Sequence, residues 1–251
     1  MLCQSPAAWA QDDDERRPPR RTRITLGPEL VPAYPGAKRA RLSPLIDVSR
    51  AKGADPFTFE AADESAGFAI WQHDGFAIGP ALAVQGRRLA SDTDGLLPRI
   101  GRTIELGGSL QYAVSPAFRL RGEIRQGLGG HGGLVANLGG DYVARRGDDW
   151  LVSIGPRVTV TNARYDKAYF GITAAEAARA GLSPYRSAGG VQAVGATAGL
   201  VRSLGSRWGV YAYARYDRLV GDAAASPVVR RWGSRDQPSG GIGLSYTFGR
   251  R

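Results

Sequence analysis

The run from Gly240 to Phe248 alternates without a break. Gly240, Ile242, Leu244, Tyr246 and Phe248 fall on one side, and Gly241, Gly243, Ser245 and Thr247 on the other. A period of two marks a strand, because successive side chains point to opposite faces of a sheet. One face is apolar and becomes aromatic toward the end of the chain, while the other is tiny or hydroxylated. Such a strand belongs in a sheet with one face in an apolar medium and the other toward water or a small-residue interior.

The pattern recurs. Ile104, Leu106, Leu110, Tyr112 and Val114 oppose Thr103, Glu105, Ser109 and Gln111, and Phe118, Leu120 and Ile124 oppose Arg119, Arg121, Glu123 and Arg125. Trp150, Val152, Ile154 and Val158 oppose Ser153, Arg157 and Thr159; Trp208, Val210 and Tyr216 oppose Tyr211, Tyr213, Arg215 and Asp217. Trp208 and Tyr216 are eight residues apart. At ~3.3 Å per residue and a tilt of ~40° they are separated by roughly 20 Å across a membrane, near the ~25 Å between two aromatic girdles. Strands are expected near 22–32, 39–50, 56–61, 66–72, 75–87, 102–114, 117–127, 132–145, 149–163, 189–203, 207–220 and 238–248. Tight connections at 73–74, 115–116, 146–148 and 204–206 alternate with long ones at 88–101, 164–188 and 221–237. Short turns at one end and long loops at the other are the habit of outer-membrane barrels. The fold class expected is all-β: an antiparallel transmembrane β-barrel of about 12 strands, with 10 as the alternative. Thr173 and Glu176 frame a capping box for a single short helix over 174–180, stopped by Gly181 and placed in the longest loop.

Composition removes other classes. No window approaches the ~20 apolar residues that a spanning helix needs, and 35 glycines among 251 residues suit turns and a small-residue interior. The net charge of +10 is nearly all arginine, lysine occurring only at Lys38, Lys52 and Lys167. That charge is spread along the chain rather than gathered on one module, so no nucleic-acid partner is expected. Cys3 is the only cysteine, which rules out a disulfide framework. Ala8 and Ala10 flank Trp9 like a signal-peptidase site. The domain reading is therefore a residual signal and unordered tail at 1–21, a barrel at 22–248 and a short extension at 249–251.

Little in the chain points to chemistry. His73 precedes an Asp-Gly turn, and His131 lies in a glycine-rich hairpin tip, where a solvated turn histidine is expected. Neither has the nucleophile or carboxylate spacing of a catalytic or metal site. The Asp92-Thr93-Asp94-Gly95 run reads as an Asx-rich turn, because the later glutamate of a calcium loop is missing. No catalytic residue, cofactor or metal is assigned. The candidate interior-lining set is Glu105, Arg119, Arg121, Glu123, Arg125, Arg157, Arg215 and Asp217, with Glu29 on the same parity. Charges in a narrow lumen must pair or stay hydrated. The set is consistent with a salt-bridged filling of side chains and with a narrow cationic path for small anionic solutes. Trp150, Trp208, Tyr216, Tyr246 and Phe248 are the candidate membrane girdle, with outer-membrane lipid as their partner.

Four stretches carry a family likeness: Gly27 to Gly36 followed by Leu42 to Asp47, Ile78 to Arg88, Tyr169 to Thr173 running on to Tyr185, and Gly221 to Val229. With the Tyr-Pro-Gly, Tyr-Phe-Gly and Asp-x-x-x-Ser-Pro elements in this order, the chain resembles the MipA/OmpV family over roughly residues 24–248. The resemblance implies a non-enzymatic protein of the bacterial outer membrane. It implies a scaffold or interaction role at the cell envelope, with a lytic transglycosylase and a murein synthase as partners. The alternative is a small porin-like channel or solute-responsive protein. The chain departs from the usual pattern in placing Gly249-Arg250-Arg251 after Phe248, where barrel assembly signals end on the aromatic. Partner, solute and oligomeric state are left open by the sequence.

Overall fold

Eleven strands form one antiparallel sheet in a computed structural model that describes residues 19–249. They are β1 (Arg20–Pro32), β2 (Ala40–Lys52), β3 (Trp71–His73), β4 (Phe76–Gln85), β5 (Thr103–Ser115) and β6 (Phe118–Gly129). Then come β7 (Leu134–Arg146), β8 (Trp150–Asn162), β9 (Gly189–Ser203), β10 (Trp208–Leu219) and β11 (Asp236–Phe248). Neighbours in sequence are neighbours in the sheet, and β1 pairs with β11, Thr22 opposite Phe248. The strand that ends the chain therefore lies inside the sheet, flanked by β1 and β10. The tail expected at 1–21 falls, up to residue 18, outside the described residues, and Arg20 and Arg21 already belong to β1.

The sheet curls on itself. Arg21 of β1 reaches Asp148, in the turn between β7 and β8, at 2.8 Å, although β11, β10 and β9 lie between β1 and β8 in the sheet. At the loop end Arg39 meets Asp92 at 2.6 Å, joining the connection after β1 to the one after β4. The edge strands β2 and β3 share no ladder, so a seam runs between them. Strand formation differs from expectation beside this seam. Residues 56–61 form no strand, and of 66–72 only Trp71 and Gln72 are regular, as the start of β3, although Ala66 bridges Leu82 and the Ile70 amide donates to Ile78 at 2.9 Å. The reason lies in side-chain chemistry. Asp63 and Glu64 find their cationic partners inside the curled sheet, so the segment 53–66 turns inward.

The outer face carries exposed Leu42, Ile46, Leu106, Leu120, Leu138, Ile154, Leu200 and Leu244 from strands all round the sheet. An apolar surface this extensive is not left facing water. No helix among the described residues is long and apolar enough to cross a membrane. The turn between β3 and β4 has Asp74 and Gly75 both at positive φ, 46° and 80°, the type I′ geometry that suits a two-residue hairpin. Among the described residues the long loops pack into a cap with four α-helices rather than one, α1 (Ala163–Tyr169), α2 (Ala174–Ala180), α3 (Gly221–Ala225) and α4 (Pro227–Trp232), and a 3-10 turn at Ala90–Thr93. Only α2 has the sequence-evident box, in which Thr173 accepts from the Glu176 amide. The others are set by context: Asn162 caps α1, and Ser226 with Pro227 at the first position opens α4. Tyr34, Tyr165, Tyr169, Phe170, Leu219 and Val229 form the core of this cap.

Candidate functional site: the charged interior and its resident segment

Odd-numbered residues of β1, β5, β6, β8 and β10 point to the enclosed side, which places every charged residue of the interior set there. Glu105, Arg119, Glu123, Arg125 and Arg157 are buried, and Arg121, Arg215 and Asp217 are half-buried. Isolated charges at such positions would cost several kcal/mol each, so the geometry that matters is who pairs with whom.

At the middle level the partners come from segment 53–66. Asp63 takes two hydrogen bonds from Arg157, at 2.7 and 3.2 Å, and one from Arg215 at 3.2 Å. Glu64 pairs with Arg119, and with Arg121 at 3.4 Å. Strand carboxylates complete the network: Asp141 holds Arg119 at 2.8 Å and Arg157 at 2.7 Å, Glu123 holds Arg121 at 3.2 Å, and Asp217 holds Arg215 at 2.6 Å. The segment's own backbone is tied to the wall by arginines. Arg119 donates to the Phe59 carbonyl at 3.0 Å, Arg145 to that of Phe57 at 2.9 Å, and Arg21 to that of Gly53 at 2.8 Å. The Phe57 ring lies under both Arg21 and Arg23, with the guanidinium carbons 4.9 and 4.5 Å from its centroid.

Nearer the loops, Arg125 bonds Glu105 at 2.9 Å and Asn137 at 2.8 Å, and Tyr213 donates to Glu29 at 2.7 Å. His131 is not a solvated turn residue. Its ring is fully buried, 3.0 Å from Glu105 through Nε2, while Nδ1 accepts from the Gly133 amide at 3.0 Å. The glycines around it explain the difference, since a Cβ at Gly127 would fall 2.4 Å from the imidazole. His73 stays exposed, as expected. In the cap, burial pushes the Asp166 carboxyl up from its ordinary range, although Ser187 and Thr161 each donate to it at 2.6 Å. No group of three or more metal-ligating side chains gathers among the described residues.

Three cavities large enough for a small solute border the resident segment. One of about 360 Å³ lies toward the loops and touches Glu29, Asp63, Arg125, Arg215 and Asp217. One of about 370 Å³ opens at the seam against Glu60, Glu64, Arg121 and Phe68, and one of about 430 Å³ lies at the turn end below Phe57. Asp63, Glu64 and Asp141, which partner the arginines, were absent from the interior set read from sequence. The available signal was the acidic density of 60–64 in a stretch without clean alternation.

Trp208, Tyr246 and Phe248 form a cluster on the outer face at the turn end, with successive ring centroids 4.8 Å apart, and Trp150 is on the same face at the start of β8. At that same end Phe76 stacks on Tyr112 with ring centroids 4.3 Å apart, and Phe118 packs at a tilt against Tyr142 at 5.1 Å, four aromatics outside the girdle set. Tyr216 lies toward the loops and bonds Asp236 at 2.5 Å.

The family model described as MltA-interacting protein MipA matches residues 24–248. The chain belongs to this family. No curated protein matches. Among solved structures, the KdgM porin aligns with a TM-score of 0.42 at 10% identity, covering 90% of this chain and 99% of its own. An outer membrane channel from Pseudomonas putida F1 gives 0.43 at 10% identity, covering 93% and 96%. The N-terminal β-barrel domain of Pseudomonas aeruginosa OprF gives 0.30 at 13% identity, covering 70% and 100%. This MipA-family chain is an outer-membrane β-barrel protein, and its apolar outer face and paired interior charges are what that location requires.

Proposed function

We propose that this MipA-family protein is a non-enzymatic scaffold that holds murein-remodelling enzymes, a lytic transglycosylase first among them, against the outer membrane. The observation that carries the reading is the filling of the interior by segment 53–66, whose Asp63 and Glu64 occupy the wall arginines. An interior closed in this way favours a role outside the lumen over steady solute flow. The family description names an interaction with MltA, which gives the partner class. With the long loops outside, as outer-membrane barrels have them, the partner meets the turn end. Exposed Arg20, Arg50, Lys52, Arg146 and Arg207 make that rim basic. The same rim suits lipid phosphates, and the girdle residues Trp150, Trp208, Tyr246 and Phe248 would hold it at headgroup level.

The test is co-purification from mild detergent extracts. A lytic transglycosylase should be retained by the protein and released when Arg50, Lys52 and Arg146 are changed together to serine. Retention of no murein enzyme by protein that shows the heat-dependent gel shift of a folded barrel would remove the scaffold reading.

A further inference from the structure

Asp63 and Glu64 are bound the way free carboxylates are bound. Arg157 presents Nε and Nη2 to the two oxygens of Asp63, at 2.7 and 3.2 Å, the paired geometry by which guanidinium recognises a carboxylate. Arg215 adds a third donor to the same group at 3.2 Å, and Arg119 and Arg121 flank Glu64. These four arginines are fixed on β6, β8 and β10, whereas the two carboxylates sit on a segment with no regular structure. The side chains of Arg119 and Arg157 are 7% and 8% exposed, yet the buried Nε of Arg119 has no hydrogen-bond partner among the described residues. The arginine cluster thus keeps a donor that the resident carboxylates leave unused. Both pairs are also reachable: Asp63 and Arg215 border the 360 Å³ cavity on the loop side, and Glu64 and Arg121 border the 370 Å³ cavity at the seam.

We infer that Arg119, Arg121, Arg157 and Arg215 form a binding site for small di- and tricarboxylate solutes, held in this structure by the chain's own Asp63 and Glu64 as internal stand-ins. A solute entering from the loop-side cavity meets Arg215 first, and Arg157 behind it through the Asp63 that both hold. By taking their donors it frees Asp63, and with Asp63 released the middle of the segment is held by Glu64, while its two ends stay anchored through Phe57 and through Ser65 and Ala66. Binding and loosening of the segment are therefore one equilibrium, in which solute and segment compete for the same guanidinium groups. The scaffold reading starts from the same filled interior, but its partner meets the rim, so the two are tested at different places on the molecule.

Citrate is the probe, with uncharged glycerol as control, on the full chain in detergent and in planar bilayers. In the Asp63→Asn/Glu64→Gln variant the internal competitor is gone, so citrate should bind at least tenfold more tightly than to the native protein. The variant should also show an anion-selective conductance, by reversal potential in a salt gradient, where the native protein is nearly silent. Changing Arg157 and Arg215 to Gln in that background should abolish citrate binding and remove the anion preference. Should the double variant fail the heat-dependent gel shift, Asp63→Asn alone carries the test, with a threefold or larger gain in citrate binding expected. A folded variant that binds citrate no better than native protein, or binds glycerol equally, overturns the proposal. Retention of the transglycosylase is measured on the same samples, so loss of either reading is seen separately.

Discussion

Asp166 shows how a single buried carboxyl can set the pH response of the cap. It is 2% exposed in α1, and its neighbours are two hydroxyls and the carboxylate of Asp222 rather than a cation, so burial and that neighbour raise its pKa. The native state then holds a proton over a pH range in which the unfolded chain has lost it. By linkage, the stability contributed by this group is intact below the ordinary carboxylate range and falls as pH rises through the raised value. Asp166→Asn should remove that fall. Amide exchange across 163–169 should slow in the variant relative to native protein at pH 8, and the two should match at pH 3. A native-to-variant difference that does not change with pH would show that ionisation of Asp166 is not what limits the cap. None of this was legible in the sequence, where Asp166 is one acidic residue in a loop and its partners Thr161, Ser187 and Asp222 lie 5, 21 and 56 positions away. His131 was misread for a related reason: the glycines around it suggest a mobile tip, but they in fact let the backbone close over the ring.

At the scale of elements, glycine decides where strands approach most closely. Gly155 of β8 faces Gly140 of β7, and a Cβ there would stand 1.7 Å from the Gly140 carbonyl oxygen, with no side chain able to move aside. The β7–β8 register is continuous from Val135 to Gly139 and from Tyr142 to Arg146, so the contact sits in the gap between two ladder segments. Gly155→Val should force those strands apart and block assembly. The expected outcome is loss of the heat-dependent gel shift and of outer-membrane recovery, while Gly147→Val, at a turn position with open space around it, should cost roughly 1 kcal/mol through its positive φ alone. Equal behaviour of the two variants would show that close approach at Gly155 is unimportant. Strands with strict alternation, such as 103–115 and 236–248, were readable because each side chain's face is fixed by parity alone. Residues 56–61 have enough β-formers to suggest a strand, but their fate depends on arginines distant in the chain: Arg119 and Arg145, 60 and 88 positions after the carbonyls they hold, and Arg21 and Arg23 before them. The interior arginines followed from parity; their partners Asp63 and Glu64 did not, because nothing in a local pattern says that a segment folds into the lumen.

For the molecule as a whole, the question is which solvent its outer face meets, and one substitution separates the possibilities. Leu138 lies near the middle of β7, 53% exposed, opposite Gly122 on β6 and Val158 on β8. In water, arginine at an exposed strand position changes stability by about 0.5 kcal/mol or less. At the midplane of a bilayer, arginine on the lipid face costs about 2–4 kcal/mol, because the guanidinium must carry water or headgroups into the hydrocarbon. Leu138→Arg should therefore shift urea unfolding from phosphatidylcholine vesicles by that larger amount. Leu204→Arg, at the exposed turn between β9 and β10, should stay within about 1 kcal/mol, as expected near the interface. The contrast between the two positions is what a curled sheet with lipid outside and charge inside demands. The seam between β2 and β3 makes the comparison sharper, since the 13-residue edge of β2 has no neighbouring strand to satisfy its backbone. Water admitted there would soften the penalty on nearby outward residues, so Ile46→Arg on β2 should cost less than Leu138→Arg at similar depth. Equal penalties at Ile46 and Leu138 would mean that the seam is as dry as the rest of the wall.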